Sequence, residues 1–282
     1  MCSPKVHVND SIQPSWSDGQ GGFFVLSDAP STLPECHPHP ADSPDLPRVY
    51  AAGDQSAVWR AGEAFLKVHD IRFPQVTREH VILEFLQSKK PLDFNIPDVL
   101  YHGEWNDRYY LIISRVPGQL LSEAWPAMDE ALRRHYVYRV AKICRKMAEW
   151  KREGVIGGVD GGQVKELYLR KGESLDPEDL RENCAGMGMD TSCLVFYHCD
   201  LGPTNILVDP DSGGIGIIDW EIAGYVPKEW VRTKFQLSSG MDFPTGDDED
   251  ARRDWRRMVA RELKAMGFPE AIDGWLGFQE SS

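Results

Sequence analysis

The sequence predicts an α+β chain: a strand-rich segment carrying one early helix, a short connector, then a helix-rich segment. Three observations lead there. Short runs of β-branched and aromatic residues, separated by Gly-containing turns, recur between Val49 and Ile113. From Leu132 onward, apolar residues return at three- and four-residue spacing, the mark of an amphipathic helix. The chain has 282 residues and is 41% hydrophobic, enough for a sizeable core in one large bilobal domain or two small ones.

Residues 1–47 hold eight of the 19 prolines, several glycines and little apolar periodicity, which predicts an extended, partly disordered arm. Within it, the run Gly22-Phe23-Phe24-Val25-Leu26 is apolar enough to dock on the body. Strands are expected at Val49-Tyr50, Ala57–Arg60 and Ala64–Val68, divided by Ala-Gly-Asp and Ala-Gly-Glu turns. Residues 75–88 read as a helix with Val81, Ile82, Leu83, Phe85 and Leu86 as its apolar content. Val99-Leu100-Tyr101 and Tyr109–Ile113 are the next strands, followed by the turn Val116-Pro117-Gly118. Leu132, Tyr136, Val140, Ile143, Met147 and Trp150 draw a long helix, which Gly154–Gly162 ends in a flexible loop. Ile206–Val208 and Ile215–Ile218, joined by Asp-Pro-Asp-Ser-Gly-Gly, form a hairpin. The acidic run Asp247–Asp250 opens a helix through Trp255, Met258 and Val259, where negative charge suits the helix dipole.

The formal charge of −13 argues against nucleic acid or anionic lipid as partners, because such a chain repels phosphate at long range. A cationic small substrate stays compatible with it. No apolar stretch approaches the roughly 18 residues of a membrane span, and the N-terminus lacks the apolar core of a secretory signal. Neither an N-terminal myristoylation motif nor a C-terminal prenylation box is present. Six irregularly spaced cysteines (2, 36, 144, 184, 193 and 199), with no C-x-x-C, read as reduced thiols. A soluble, cytoplasmic setting is the expectation. Cys36-His37-Pro38-His39 groups three donors in a Pro-rich tail, but without a second cluster it is set aside as a metal site.

The strongest chemical signal is His198-Cys199-Asp200-Leu201-Gly202-Pro203-Thr204-Asn205, followed across the hairpin by Ile217-Ile218-Asp219-Trp220. Two carboxylates and an amide oxygen near one point suit phosphoryl transfer. One carboxylate orients the nucleophile's proton, while the amide and the other carboxylate hold Mg²⁺ against the phosphates. Phosphoryl transfer also needs a cation for the phosphates and an acid to fix it. Lys67 lies in an apolar strand, where an inward lysine is costly without a partner. Glu79, at the start of the next helix, is the first candidate partner, with Glu84 as fallback.

With these residues in place, the sequence resembles the aminoglycoside phosphotransferase-like kinases, in particular their large fungal branch. The resemblance covers roughly residues 49–235. It rests on Phe65–Val68, Arg78-Glu79, Ile96–Val99, Ile113–Gly118, Ile156–Gly162, His198–Asn205 and Ile218–Glu221. It implies a protein-kinase-like bilobal fold: after the 1–47 arm, a β-rich N-lobe with one helix over 48–116 and a mainly helical C-lobe over 117–282, with a hinge near 113–118. It also implies transfer of the γ-phosphate of ATP or GTP to a small-molecule hydroxyl, with Mg²⁺. Asp200 then matches the catalytic base, Asn205 and Asp219 the magnesium ligands, Lys67 the phosphate-binding lysine and Glu79 its partner. His198 becomes a structural residue of the catalytic loop. The loop Ala52–Ala57, including Ser56 as a nucleotide contact, takes the place of the nucleotide-covering loop without a G-x-G-x-x-G pattern.

Departures from protein kinases narrow the acceptor. Gly202 stands where kinases acting on Ser or Thr carry Lys, Asp219 is followed by Trp-Glu, and no A-P-E element follows. These favour a small-molecule substrate over a protein. The rival from another class is a pseudokinase, a nucleotide-binding or scaffolding module without turnover. Its mark, loss of Asp200 or Asp219, is absent from the sequence. A monomer is the default assembly.

Overall fold

The computed structural model describes residues 13–28, 31–32, 46–246 and 248–280. They fall into two compact units, one running to Pro74 and including Pro97–Arg115, the other made of Gln75–Ile96 and Val116 onward. The Cys36–His39 cluster, much of the 1–47 arm and Asp247 lie outside the described residues.

The first unit is a sheet protein. A small antiparallel hairpin, β1 (Ser15–Ser17) with β2 (Phe23–Val25), precedes five strands: β3 (Arg48–Ala52), β4 (Ser56–Ala61), β5 (Ala64–Asp70), β6 (Val99–Trp105) and β7 (Arg108–Ser114). The sheet order is β3-β4-β5-β7-β6, antiparallel throughout. The β5–β7 register places Lys67 opposite Leu111, and on its other side Lys67 faces Val58 of β4. The hairpin docks through the strand preceding the expected apolar run. Trp16 Nε1 donates to the Ala61 carbonyl (2.8 Å) and Glu63 N donates to that of Ser17 (2.9 Å). Gly62, at φ +60°, is required there, since a Cβ would lie 2.5 Å from the Ser17 oxygen.

The second unit opens with α1 (Glu79–Ser88). Sequence spacing places this helix with the first lobe and starts it at residue 75; contacts group it with the second unit, and it begins at Glu79. The reason is packing on both counts. Ile82, Leu83 and Leu86 are fully buried, each contributing about 2 kcal/mol on burial. Phe85 packs against Trp150, Phe196 and Tyr225 at 5.1–6.3 Å between ring centres. Residues 75–77 stay extended because Val76 bridges to Gln163 in parallel, with Thr77 N donating to the Gln163 carbonyl (3.0 Å).

After β8 (Gln119–Leu120) and the short α2 (Leu121–Ala124) comes the long α3 (Glu130–Met147), capped by Asp129, whose side chain accepts from Leu132 N (2.8 Å). Tyr136, Val140, Ile143 and Met147 line its buried face, as their spacing predicts. The helix stops before Trp150 because Lys151–Arg152 forms β9, the edge of a three-stranded sheet with β10 (Leu194–Tyr197) and β13 (Gly224–Pro227), in the order β13-β10-β9. The second such sheet, in the order β12-β11-β8, contains the expected hairpin, β11 (Ile206–Asp209) with β12 (Gly214–Ile217). Helices α4 (Pro177–Gly186), α5 (Lys228–Leu237), α6 (Glu249–Ala265) and α7 (Ile272–Glu280) complete the unit. Acidic Glu249 and Asp250 occupy the first turn of α6, behind the Asp248 cap.

The glycine-rich stretch expected as a flexible loop is instead pinned. Gly158 N donates to the Gly162 carbonyl (2.8 Å), Gly157 and Tyr225 exchange backbone hydrogen bonds, and Thr77 Oγ1 donates to Asp160 Oδ1 (2.5 Å). A Cβ on Gly158 would lie 1.7 Å from the Thr77 hydroxyl, so only glycine lets the two segments meet.

Candidate active site

The segment His198–Asn205, expected from sequence to be the catalytic loop, hangs from β10, a strand buried along its whole length. Directly after it, His198 and Cys199 are both fully buried, and Cys199 takes a left-handed conformation (φ +65°) that turns the chain sharply. The following turns close on themselves: Gly202 N donates to the Asp200 carbonyl (2.9 Å) and Asn205 N to that of Gly202 (3.0 Å). This brings Asn205 back onto Asp200. Its amide Nδ2 donates to the Asp200 carbonyl (2.8 Å) and to Asp200 Oδ2 (3.0 Å). Both amide hydrogens are then committed, and Oδ1 is the atom of that side chain able to bind a cation.

Asp219 reaches the same neighbourhood by the hairpin. The turn between β11 and β12 is fixed by Asp209, whose carboxylate accepts from Asp211 N, Ser212 N and Ser212 Oγ, while Gly213 adopts φ +71°. Ile218 N donates to the Asn205 carbonyl (3.0 Å), joining the hairpin's far end to the Asp200–Asn205 loop. Asp219 itself is left-handed (φ +63°), a conformation costing a non-glycine residue about 1–2 kcal/mol.

Both peptide groups flanking Asp219 are held by side chains. His198 Nδ1 accepts from Asp200 N (3.2 Å), so its Nε2 carries the hydrogen and donates to the Ile218 carbonyl (3.0 Å). One imidazole therefore bridges the two aspartate loops. On the other side, Trp220 N donates to Glu79 Oε1 (3.1 Å). The Trp220 indole donates to the Ile217 carbonyl (3.1 Å) and lies 4.5 Å from the His198 ring.

Burial pushes the Asp200 carboxyl up to about 6; Lys234 opposes that shift, Asp219 and Glu166 add to it, and the Asn205 hydrogen bond opposes it. An acid in that range is ionised at neutral pH yet basic enough to take a share of a hydroxyl proton. Burial also drives the Cys199 thiol well above its ordinary value, in keeping with a small buried residue and not a nucleophile.

Of the residues singled out from sequence, Asp200, Asn205, Asp219 and Glu79 belong to the second unit, and Lys67 and Ser56 to the first. Lys67 is 5% exposed. Ser56 opens β4, opposite Ala52 and His69. Of the two candidate acids on α1, Glu79 is buried and hydrogen-bonded to the Asp219 loop, whereas Glu84 is exposed. Sequence reasoning missed a second buried ionic group. Lys234 Nζ donates to both oxygens of Glu166 (2.8 Å each), and Trp230 Nε1 donates to Glu166 Oε2 (3.1 Å). The one available signal is a lysine on the apolar stripe Trp230, Val231, Lys234, Phe235.

The family model described as the phosphotransferase enzyme family matches residues 47–227. No curated protein matches the chain. Among solved structures, the aminoglycoside phosphotransferase APH(3'')-Id from Streptomyces rimosus is similar at 19% identity with a TM-score of 0.53, over 85% of this chain and 94% of that one. APH(2'')-IIa in complex with gentamicin gives 17% identity and a TM-score of 0.54, over 84% and 81%. The ternary complex of APH(2'')-IIa with streptomycin and ATP gives 17% and 0.51, over 78% and 76%. At these identities the likeness is one of fold: the protein-kinase-like, mixed α/β fold of those enzymes.

Proposed function

This chain belongs to the phosphotransferase enzyme family, and from that premise we propose that it transfers the γ-phosphate of ATP to a hydroxyl group of a small molecule, with Mg²⁺. The observation that carries the reading is the double hydrogen bond from Asn205 to the carbonyl and carboxylate of Asp200, beside a second aspartate loop joined to it through His198. In this reading Asp200 orients the acceptor hydroxyl and takes its proton. Asn205, through Oδ1, and Asp219 hold the metal. Lys67 and Ser56 serve the nucleotide.

The donor set suits Mg²⁺, which takes oxygen ligands and keeps several water or phosphate oxygens. Two protein ligands, with phosphate and water oxygens completing the set, is the stoichiometry proposed for this site. When bound, the metal supplies charge neutralisation at the transferring phosphates. Everything else falls to the protein: orienting the acceptor, moving one proton to Asp200, and keeping the two loops in register.

ATP is the first choice of nucleotide because solved neighbours hold ATP or ADP. Polyhydroxylated amines are the first acceptors to assay, because the same neighbours hold gentamicin or streptomycin. The free thiols Cys144, Cys184, Cys193 and Cys199 support a reducing, cytoplasmic setting. The test is nucleotide consumption with Mg²⁺·ATP and Mg²⁺·GTP against a panel of hydroxylated amines. Acceptor-dependent turnover, abolished in Asp200→Ala, is expected. Turnover retained by Asp200→Ala on the same acceptor would remove that residue from the role. Nucleotide binding with no turnover on any hydroxyl compound would favour a non-catalytic module.

A further inference from the structure

We infer that Glu79 is a positioning residue for the metal-binding loop: by accepting the Trp220 amide hydrogen it holds Asp219 in the conformation that presents its carboxylate. This rests on the proposed reading of Asp219 as a metal ligand. A left-handed aspartate relaxes unless the peptide groups on either side are fixed, and here both are fixed by side chains from other elements. His198 holds the Ile218 carbonyl and Glu79 the Trp220 amide. The second bond is charge-assisted and dry, with Glu79 2% exposed and Trp220 fully buried, the setting in which such a bond is strongest.

Glu79 is also placed independently of the bond it makes. The start of α1 is tied to the glycine-rich loop by Thr77 N to the Gln163 carbonyl and by Thr77 Oγ1 to Asp160. That loop is tied by Gly157 to Tyr225, at the start of β13 and shortly after Trp220 in the chain. The Glu79–Trp220 bond closes this ring of contacts. Asp219 is therefore held by a circuit lying wholly within the second unit. A glutamate that served only as a counter-charge for a lysine would not need to bond this amide.

Two substitutions separate the roles, because glutamine keeps an acceptor oxygen and loses the charge. Trp220 amide hydrogen exchange reads the brace directly, and Mn²⁺ binding in the presence of ATP, followed by electron paramagnetic resonance, reads its consequence. In Glu79→Ala the Trp220 amide is expected to exchange at least about tenfold faster, and Mn²⁺ affinity to fall about 10–100-fold, the usual effect of losing an outer-sphere partner. Glu79→Gln, which keeps the acceptor oxygen and loses the charge assistance, is expected to fall between wild type and Glu79→Ala on both readouts, nearer wild type. Loss of Trp220 protection in Glu79→Gln equal to that in Glu79→Ala would overturn the inference, as would unchanged protection in Glu79→Ala. Should Glu79→Ala fail to fold, Glu79→Gln decides alone: protected supports the brace, unprotected refutes it. Asp219→Ala separates the underlying reading. If it binds Mn²⁺·ATP as wild type does, the metal assignment fails, while the exchange data still decide whether Glu79 holds the loop.

Discussion

Two buried polar groups in the second unit solve the same problem in opposite ways. Glu166 and Lys234 close on each other: side chains 1% and 4% exposed, both carboxylate oxygens bonded by the ammonium, and one also by the Trp230 indole. Asp200 is left under-compensated. Among the described residues its carboxylate takes its side-chain hydrogen bond from the neutral amide of Asn205, and burial raises its pKa to about 6. The first arrangement is finished without a ligand. The second keeps basicity in reserve, and a neighbouring aspartate is held in a strained backbone conformation. Where buried charge is neutralised it serves the fold; where it is left partly uncompensated, as at Asp200, it suits the catalytic role proposed for that residue.

The largest expected effect breaks the reserved charge. Asp200→Ala should lower kcat for phosphotransfer by about 10³-fold with little change in KM for ATP, measured by steady-state kinetics. Next comes the closed pair. Lys234→Met should cost about 3–5 kcal/mol by urea denaturation, because it strands the Glu166 charge in the core. The double variant Glu166→Gln/Lys234→Met should recover most of that loss, since glutamine still accepts from Trp230. A double variant as unstable as the single one would show that the pair is worth more than the removal of its charges.

A smaller effect carries the opposite sign. The folded pKa of Asp200, about 6, lies above the unfolded value of about 3.9, so the fold favours the protonated form. The stability linked to this group is full below about pH 4 and lost as pH rises through about 6. Asp200→Asn should therefore be more stable than wild type by about 3 kcal/mol at pH 8, and no more stable at pH 4, by denaturant titration. The smallest effect concerns Cys199, beside the same aspartate. Native-state alkylation mapped by peptide mass should label exposed Cys193 and spare Cys199, Cys144 and Cys184, the last with its thiol raised to about 12 by burial.

Much of this was legible in the sequence, where the determinants are local. The Asp200–Asn205 spacing, the turn chemistry of Asp209–Gly214 and the apolar period from Leu132 to Met147 each act within a few residues, and each appears where its pattern predicts. What escaped depends on distant segments meeting. The β10–β13 pairing joins Leu194–Tyr197 to Gly224–Pro227. The Glu166–Lys234 bond spans 68 positions and the Glu79–Trp220 bond 141. The start of α1 falls later than its apolar pattern predicts for the same reason, since Val76 and Thr77 give their backbone bonds to residue 163 instead of to a helix. A run of glycines reads as flexibility when seen alone; here it is the clearance that lets another segment approach.

That clearance has an evolutionary consequence. Thr77, Gly158 and Asp160 fill one small volume, with the threonine hydroxyl bonded to the aspartate and standing where any side chain on residue 158 would have to go. Selection cannot alter one of them freely. Relatives that replace the glycine should also have replaced the threonine with something smaller, and those that keep the threonine should keep the glycine. The three positions are expected to be inherited as a unit, so their joint variation marks the relatives that carry this tie.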